Sequence, residues 1–416
     1  MRTLKENHHG FSTVLALALI PLSGFATDIY LPSLPSMATE LNVSPSAIQL
    51  TLVLFMFSTG ISQIFIGSIL DSFGRFKIST ISLFVFSATS FVIVFVPNIY
   101  VIYLMRIIQG IAIAFIVVGK RAYFVDLYSG DKLKGYISLF AIIWSCAPIM
   151  APFIGGYLQE LTGSWKTNFY FLGFLSLLFL ILELIYSGES LKHRHSFKAK
   201  SIIQTYSGML KTVDFSIGLL IIGVCFGLVI VYSLSSPFII ERVFGYSSIT
   251  TGYSSLLSGL SVMAGGIIAK SLISKPLTKK VTIGLIFQTI VAALMIVTGT
   301  IGSNIYTLIG FTMLLHVSGG FIFNIVYGYC LSLFSKNAGV ASGLTGGAMY
   351  MVSSLFSYGF ANLFAIKSQF LLGLANLSLI LLIGVLFIVF NQNRKLNVSE
   401  NTRDILQEKS FQEKIQ

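Results

Sequence analysis

Apolar residues in this chain come in long, nearly uninterrupted runs. A one-sided stripe at helical spacing or a strict alternation is not the dominant pattern. Each run holds about 20 residues, the length at which a helix rising 1.5 Å per residue crosses a hydrocarbon core of roughly 30 Å. The runs predict twelve membrane-spanning helices, at 11–31, 46–68, 76–96, 99–121, 134–157, 166–187, 214–236, 248–270, 279–300, 304–328, 338–364 and 368–390. The expected fold class is an all-α membrane protein with its helices in two pseudo-symmetric six-helix bundles.

Composition agrees with that pattern. Hydrophobic residues make up 55% of the 416 and charged residues 10%, with mean hydropathy +0.86, whereas soluble chains carry about 25% charged residues. The runs leave no room for a soluble domain.

A net charge of +12 raises the question of a nucleic-acid partner, and the placement of the charge answers it. With the N-terminus inside, Arg2, Lys5, Arg75, Lys77, Lys120, Arg121, Lys132, Lys134, Lys192, Arg194, Lys198, Lys200, Lys211, Lys270, Lys275, Lys279, Lys280, Lys336, Arg394 and Lys395 collect on the cytoplasmic side. Lys166, Arg242 and Lys367 face the other. This bias places both termini in the cytoplasm and accounts for the charge without nucleic acid.

The first run continues past signal-peptide length and is read as an uncleaved helix. Cys146, Cys225 and Cys330 fall inside predicted spans, which gives no disulfide framework or CxxC pair.

The longest polar interruption before the tail, 188–211, separates six runs from six. The expected domains are therefore 1–187, a basic linker 188–211, a second bundle 212–390 and a polar tail 391–416. His193 and His195 in the linker lack acidic or cysteine partners and are read as solvated. A weak internal echo supports duplication: "GSILDSFGRFK" from Gly67 and "GIIAKSLISKP" from Gly266 each place a charge, Asp71 or Lys270, four residues after a glycine.

Charges inside a bilayer cost at least about 2.5 kcal/mol each on insertion scales and mark cavities or partners. The candidates are Asp28, Arg106, Lys120, Arg121, Glu183 and His316. With the first helix ending near Leu31, Asp28 sits about 4–5 Å inside its outer end and Arg106 roughly 10 Å deep. The two are expected to pair directly or through water, which would make Asp28 a titratable proton carrier. The competing reading is an interfacial acid at the turn that Pro32 forces.

Arg106, Gln109 and Gly110 share one helix face. His316 near the midplane is read either as a titrating group or as a satisfied helix contact. Tyr30, Gln109, Arg121, His316 and Asn324 are the substrate-cavity candidates. With no phosphate loop and no HExxH motif, no cofactor or metal is expected.

Taken in order, these segments resemble the major facilitator superfamily, and within it the bicyclomycin-resistance branch of drug:proton antiporters. "TDIYLPSLP" (Thr27 to Pro35) is similar to that branch's first-helix motif, an acid ahead of a proline-rich outer loop. Gly67, Asp71, Gly74, Arg75 and Lys77 match the superfamily's GxxxDxxGRxK loop. "RIIQG" (Arg106 to Gly110) and "APIMAPFIGG" (Ala147 to Gly156) resemble the fourth- and fifth-helix motifs, the latter carrying Pro148, Pro152, Gly155 and Gly156. "SSPFIIERVFGYS" and "AGVASGLTGG" look like seventh- and eleventh-helix signatures. Val125 and Phe76 depart from the basic residues usual at their positions.

The resemblance implies proton coupling through Asp28 and Arg106. It also implies a gating latch in which Asp71 faces the start of the eleventh helix near Ala338 and Arg75 meets Asp126. The expectation is a monomeric, multi-pass transporter of the bacterial inner membrane, not an enzyme, that exchanges a small amphiphile for protons. A siderophore or polar-metabolite exporter, or a proton-coupled importer, is the alternative.

Overall fold

The computed structural model describes residues 4–191, 199–334 and 337–413; His193 and His195 lie outside the described residues. The chain is all-helical. Its long elements are α1 (Glu6–Glu40, broken), α2 (Pro45–Phe73), α3 (Arg75–Phe95), α4 (Ile99–Leu127), α5 (Gly130–Thr162) and α6 (Lys166–Tyr186). After a linker helix, Ala199–Leu210, come α7 (Val213–Val243), α8 (Ser248–Ser271), α9 (Leu277–Ile301), α10 (Ile305–Leu333), α11 (Ala338–Leu363) and α12 (Gln369–Glu413).

Ten of these are long and apolar enough to cross a membrane, counted among the described residues. Of the other two, α5 carries an apolar stretch without charge from Tyr136 to Phe153, and α11 is rich in glycine and serine. Both are wedged between other helices, α5 against α8 and α11 against α2 and α7, so protein replaces lipid along much of their surface. Small residues suit such contacts because they let backbones approach.

Helices α1–α6 pack among themselves, as do α7–α12. The two sets meet along α2–α11 and α5–α8, and the last turns of α1 touch α7 and α8. At these seams a side chain would meet backbone: a Cβ on Gly60 would lie 2.7 Å from the Gly347 carbonyl oxygen, and one on Gly252 2.8 Å from that of Pro152. Pro148 and Pro152 lie inside an unbroken α5.

The first helix differs from the reading above. It does not end near Leu31. After Asp28 the chain makes a buried 3-10 turn, Leu31–Ser33, and resumes as Leu34–Glu40, with Pro32 and Pro35 each in a first turn. There a missing backbone N–H costs nothing, because it would have no intrahelical acceptor. The proline-rich stretch is thus buried helix rather than loop. Its end at Glu40 is fixed by Trp165 Nε1, which donates to Glu40 Oε2 at 2.7 Å, and by Lys166 Nζ at 2.8 Å from Oε1. Asp28 therefore lies three turns inside the element, up to roughly 18 Å from its end along the chain path.

Candidate functional site

Arg106 is fully buried. Both of its terminal nitrogens donate to the Ala26 carbonyl at 3.0 Å, Nη1 donates to Gln109 Oε1 at 3.0 Å, and Nη2 reaches Tyr30 Oη at 3.5 Å. Nε donates to the Thr51 carbonyl at 3.4 Å. The guanidinium also lies 4.1 Å from the centroid of the Phe55 ring and 4.7 Å from that of Tyr30, positions that favour a cation.

The planar fork has thus found its acceptors in neutral groups of α1, α2 and α4. The expected direct ion pair with Asp28 is absent among the described residues. Backbone carbonyls, which sequence spacing does not reveal, have taken the donors instead.

Asp28 is 8% exposed, and among the described residues no hydrogen bond or ion pair engages its carboxylate. It lies two residues after Ala26, whose carbonyl accepts from both terminal nitrogens of Arg106.

Tyr30 is enclosed, its hydroxyl 3.0 Å from Thr51 Oγ1. Gln109 is enclosed as well and donates to Ser90 Oγ at 2.9 Å. Both complete the cage around Arg106. His316 is a satisfied contact, with Nδ1 2.7 Å from Ser258 Oγ and its ring edge-on to Tyr232. Asn324 is exposed and donates to the Gly320 carbonyl. Arg121 is exposed near the linker end, where it donates to Ser342 Oγ of α11 at 3.2 Å. Tyr30 and Gln109 thus stand together at Arg106, and His316, Asn324 and Arg121 are engaged by the separate groups named above.

The loop between α2 and α3 is built around Arg75, which forms ion pairs with Asp71 at 2.9 Å and with Asp126, and donates to the Ala122 carbonyl. Gly74 turns the chain at φ +95°, a region that favours glycine. Asp71 is spent on Arg75 and, among the described residues, makes no hydrogen bond to α11. Lys77 is exposed, and a Cβ on Gly67 would meet open space.

Two partners of this loop were not anticipated. Glu189 accepts from the backbone N–H groups of Arg75 and Phe76, and Ser190 donates to Asp126. The start of the 188–211 interruption is therefore packed against the bundle rather than solvated. A carboxylate at a helix N-terminus satisfies donors that the helix cannot, and only the closing of the bundle brings Glu189 there.

A second buried charge pair also escaped the sequence reading. Lys120 Nζ lies 2.6 Å from Glu183 Oε2, with side chains 6% and 0% exposed. Beside it Tyr123 donates to Ser12 Oγ, Ser12 and Ser187 are 3.0 Å apart, and Thr13 meets Tyr128.

Hydrogen bonds between the two sets of helices concentrate at the end away from the linker. There Arg242 donates to the Pro35 carbonyl and to Thr39, and Ser248 Oγ to Gly156 O and Glu160 Oε2. Gln49 donates to the Leu234 carbonyl at 2.8 Å, and the Tyr157 and Tyr253 hydroxyls meet at 3.1 Å. Glycines make this closure possible. A Cβ on Gly156 would lie 2.6 Å from the Ser248 carbonyl oxygen of the other set, while one on Gly155 would run into that of Ile29 on α1, within its own set.

Gly156→Ala should therefore pry α5 from α8. In a cysteine-free background carrying Ser248→Cys, an impermeant thiol reagent added on that side should label the Gly156→Ala protein severalfold faster. Equal labelling would show that the contact does not limit opening.

The chain matches the Major Facilitator Superfamily model over residues 16–358. It is 26% identical to the multidrug resistance protein MdtL of Vibrio parahaemolyticus, over 88% of this chain and 94% of that one. It is 32% identical to a bicyclomycin resistance protein homolog of Haemophilus influenzae, over 42% of this chain and 44% of the relative. Matches at 30% identity or above span about half of those relatives' lengths. Among solved structures, an inward-facing, unoccupied bacterial homolog of the human lysosomal transporter Spinster superposes with TM-score 0.69 at 11% identity, over 94% of this chain and 96% of that one. From its helix arrangement and the match along most of its length, the chain belongs to the Major Facilitator Superfamily, a family of multi-pass membrane transporters of small molecules.

Proposed function

We propose that this transporter exports small amphiphilic compounds in exchange for protons, by alternating access between residues 1–187 and 212–390. The linker 188–211 joins the halves, and 391–416 is a tail. The linker end and both termini face the cytoplasm of a bacterium, and the chain works as a monomer in the inner membrane. Asp28 carries the proton. Arg106, held by neutral acceptors, supplies a fixed positive field beside it without locking it into an ion pair. Arg75, Asp71 and Asp126, joined to one another within the first half, are the gating group at the cytoplasmic end, with Asp71 turning to α11 when that end closes.

One observation carries this reading: a buried carboxylate with no bonded partner among the described residues lies two residues after Ala26, whose carbonyl holds both terminal nitrogens of a fully satisfied buried cation. Such an acid responds to small changes in its surroundings, and rocking of one half against the other would supply them. The names of the relatives, bicyclomycin resistance and multidrug resistance, support an amphiphilic substrate.

The test is transport of a fluorescent amphiphilic dye in proteoliposomes under an imposed pH gradient. The dye should move against its own gradient while protons move the other way. Dye movement indifferent to the proton gradient would refute the coupling, and co-directional movement would refute antiport.

A further inference from the structure

The linker helix Ala199–Leu210 lies against α2 rather than hanging free. Tyr206 Oη donates to the Ile64 carbonyl at 2.9 Å, and a Cβ on Gly343 of α11 would lie 4.0 Å from that hydroxyl. Between the helix and α2 runs an open groove of about 360 Å³, lined by Phe65, Ile203, Tyr206, Ser207, Leu210 and Lys211. Its walls are apolar where a soluble surface would be polar: Ile203 is 56% exposed, Leu210 47% and Phe65 38%. Lys211 stands exposed at its rim, where α7 begins.

An amphipathic helix with apolar side chains left uncovered and a basic residue at its edge has the make-up of one that lies in a membrane interface. A lysine there attracts anionic headgroups. A soluble partner would leave the neighbouring apolar surface of α2 facing lipid, whereas an acyl chain continues that lipid into the groove.

We infer that the groove is a binding site for an anionic phospholipid. Its acyl chain lies between Phe65, Ile203 and Leu210, and its phosphate lies at Lys211. Because the helix also touches the α2–α11 seam, where Gly60 and Gly347 are in backbone contact, an occupied groove restrains the motion of α2 against α11.

Full-length protein in phosphatidylcholine vesicles doped with a photoactivatable phosphatidylglycerol tests this directly. Peptides containing Phe65 or Ala199–Lys211 should be labelled several times more than by the phosphatidylcholine analogue. Lys211→Gln should lower that labelling at least threefold, and Lys211→Arg should restore it. Unchanged thermal unfolding in detergent would show that the variants are folded. Equal labelling by the two lipids, or indifference to Lys211→Gln, would overturn the site. Displacement of the probe by the transported dye in place of lipid would overturn it in favour of a substrate-entry groove.

Discussion

Replacing Asp28 with asparagine should reduce gradient-driven transport in proteoliposomes at least tenfold, while leaving insertion and yield unchanged. The substitution keeps the side chain's volume, and the carboxylate makes no hydrogen bond among the described residues that would be lost. The packing around Thr27, Ile29 and Tyr30 therefore has no reason to relax. What disappears is the ability to hold and release a charge. Downhill movement of the dye without a pH gradient should persist, because alternating access itself does not need the acid. Asp28→Glu should keep part of the coupling, since the group still titrates with its carboxylate displaced by one methylene. Arg106→Lys should also impair coupling, because a point charge cannot serve the Ala26 and Thr51 carbonyls and Gln109 Oε1 together. Full coupling in Asp28→Asn would remove the residue from the mechanism.

Hydropathy alone made most of the helices readable, because the bilayer demands a run length that few other pressures impose. The exception has a physical cause. The first helix outlasts its predicted end because a proline signals a break only where its missing N–H would have had an intrahelical acceptor, and at the start of a new turn it would not.

Within the site, the loop motif named Arg75, Asp71 and Asp126, and these groups are in contact. Motif spacing gave no sign that Arg106 would choose the Ala26 carbonyl over the Asp28 carboxylate, since every residue carries a carbonyl. Nor did it give a sign of Glu189, whose place at the start of α3 depends on how the chain returns after α6.

Lys120 and Glu183 pose the sharpest energetic question in the chain. Removing one member of a buried pair leaves the other charge uncompensated, which costs about 3–5 kcal/mol in measured cases, whereas replacing both with apolar residues of similar size is often neutral. With exposures of 6% and 0%, this pair should follow that rule. Lys120→Met and Glu183→Leu alone should each lower thermal stability in detergent sharply. The double variant should recover most of the loss, so that the coupling energy is at least as large as either single loss and exceeds the ordinary range for contacting residues. Additive losses in the double variant would mean that the two groups are stabilised by separate surroundings, for example Lys120 by the Tyr123 ring 6.0 Å away. Transport by the double variant decides a further point. If the pair only ties α4 to α6, coupled transport should survive its removal. Because Lys120 lies on the α4 that also carries Arg106, a stable double variant that has lost coupling would place the pair in the proton's path.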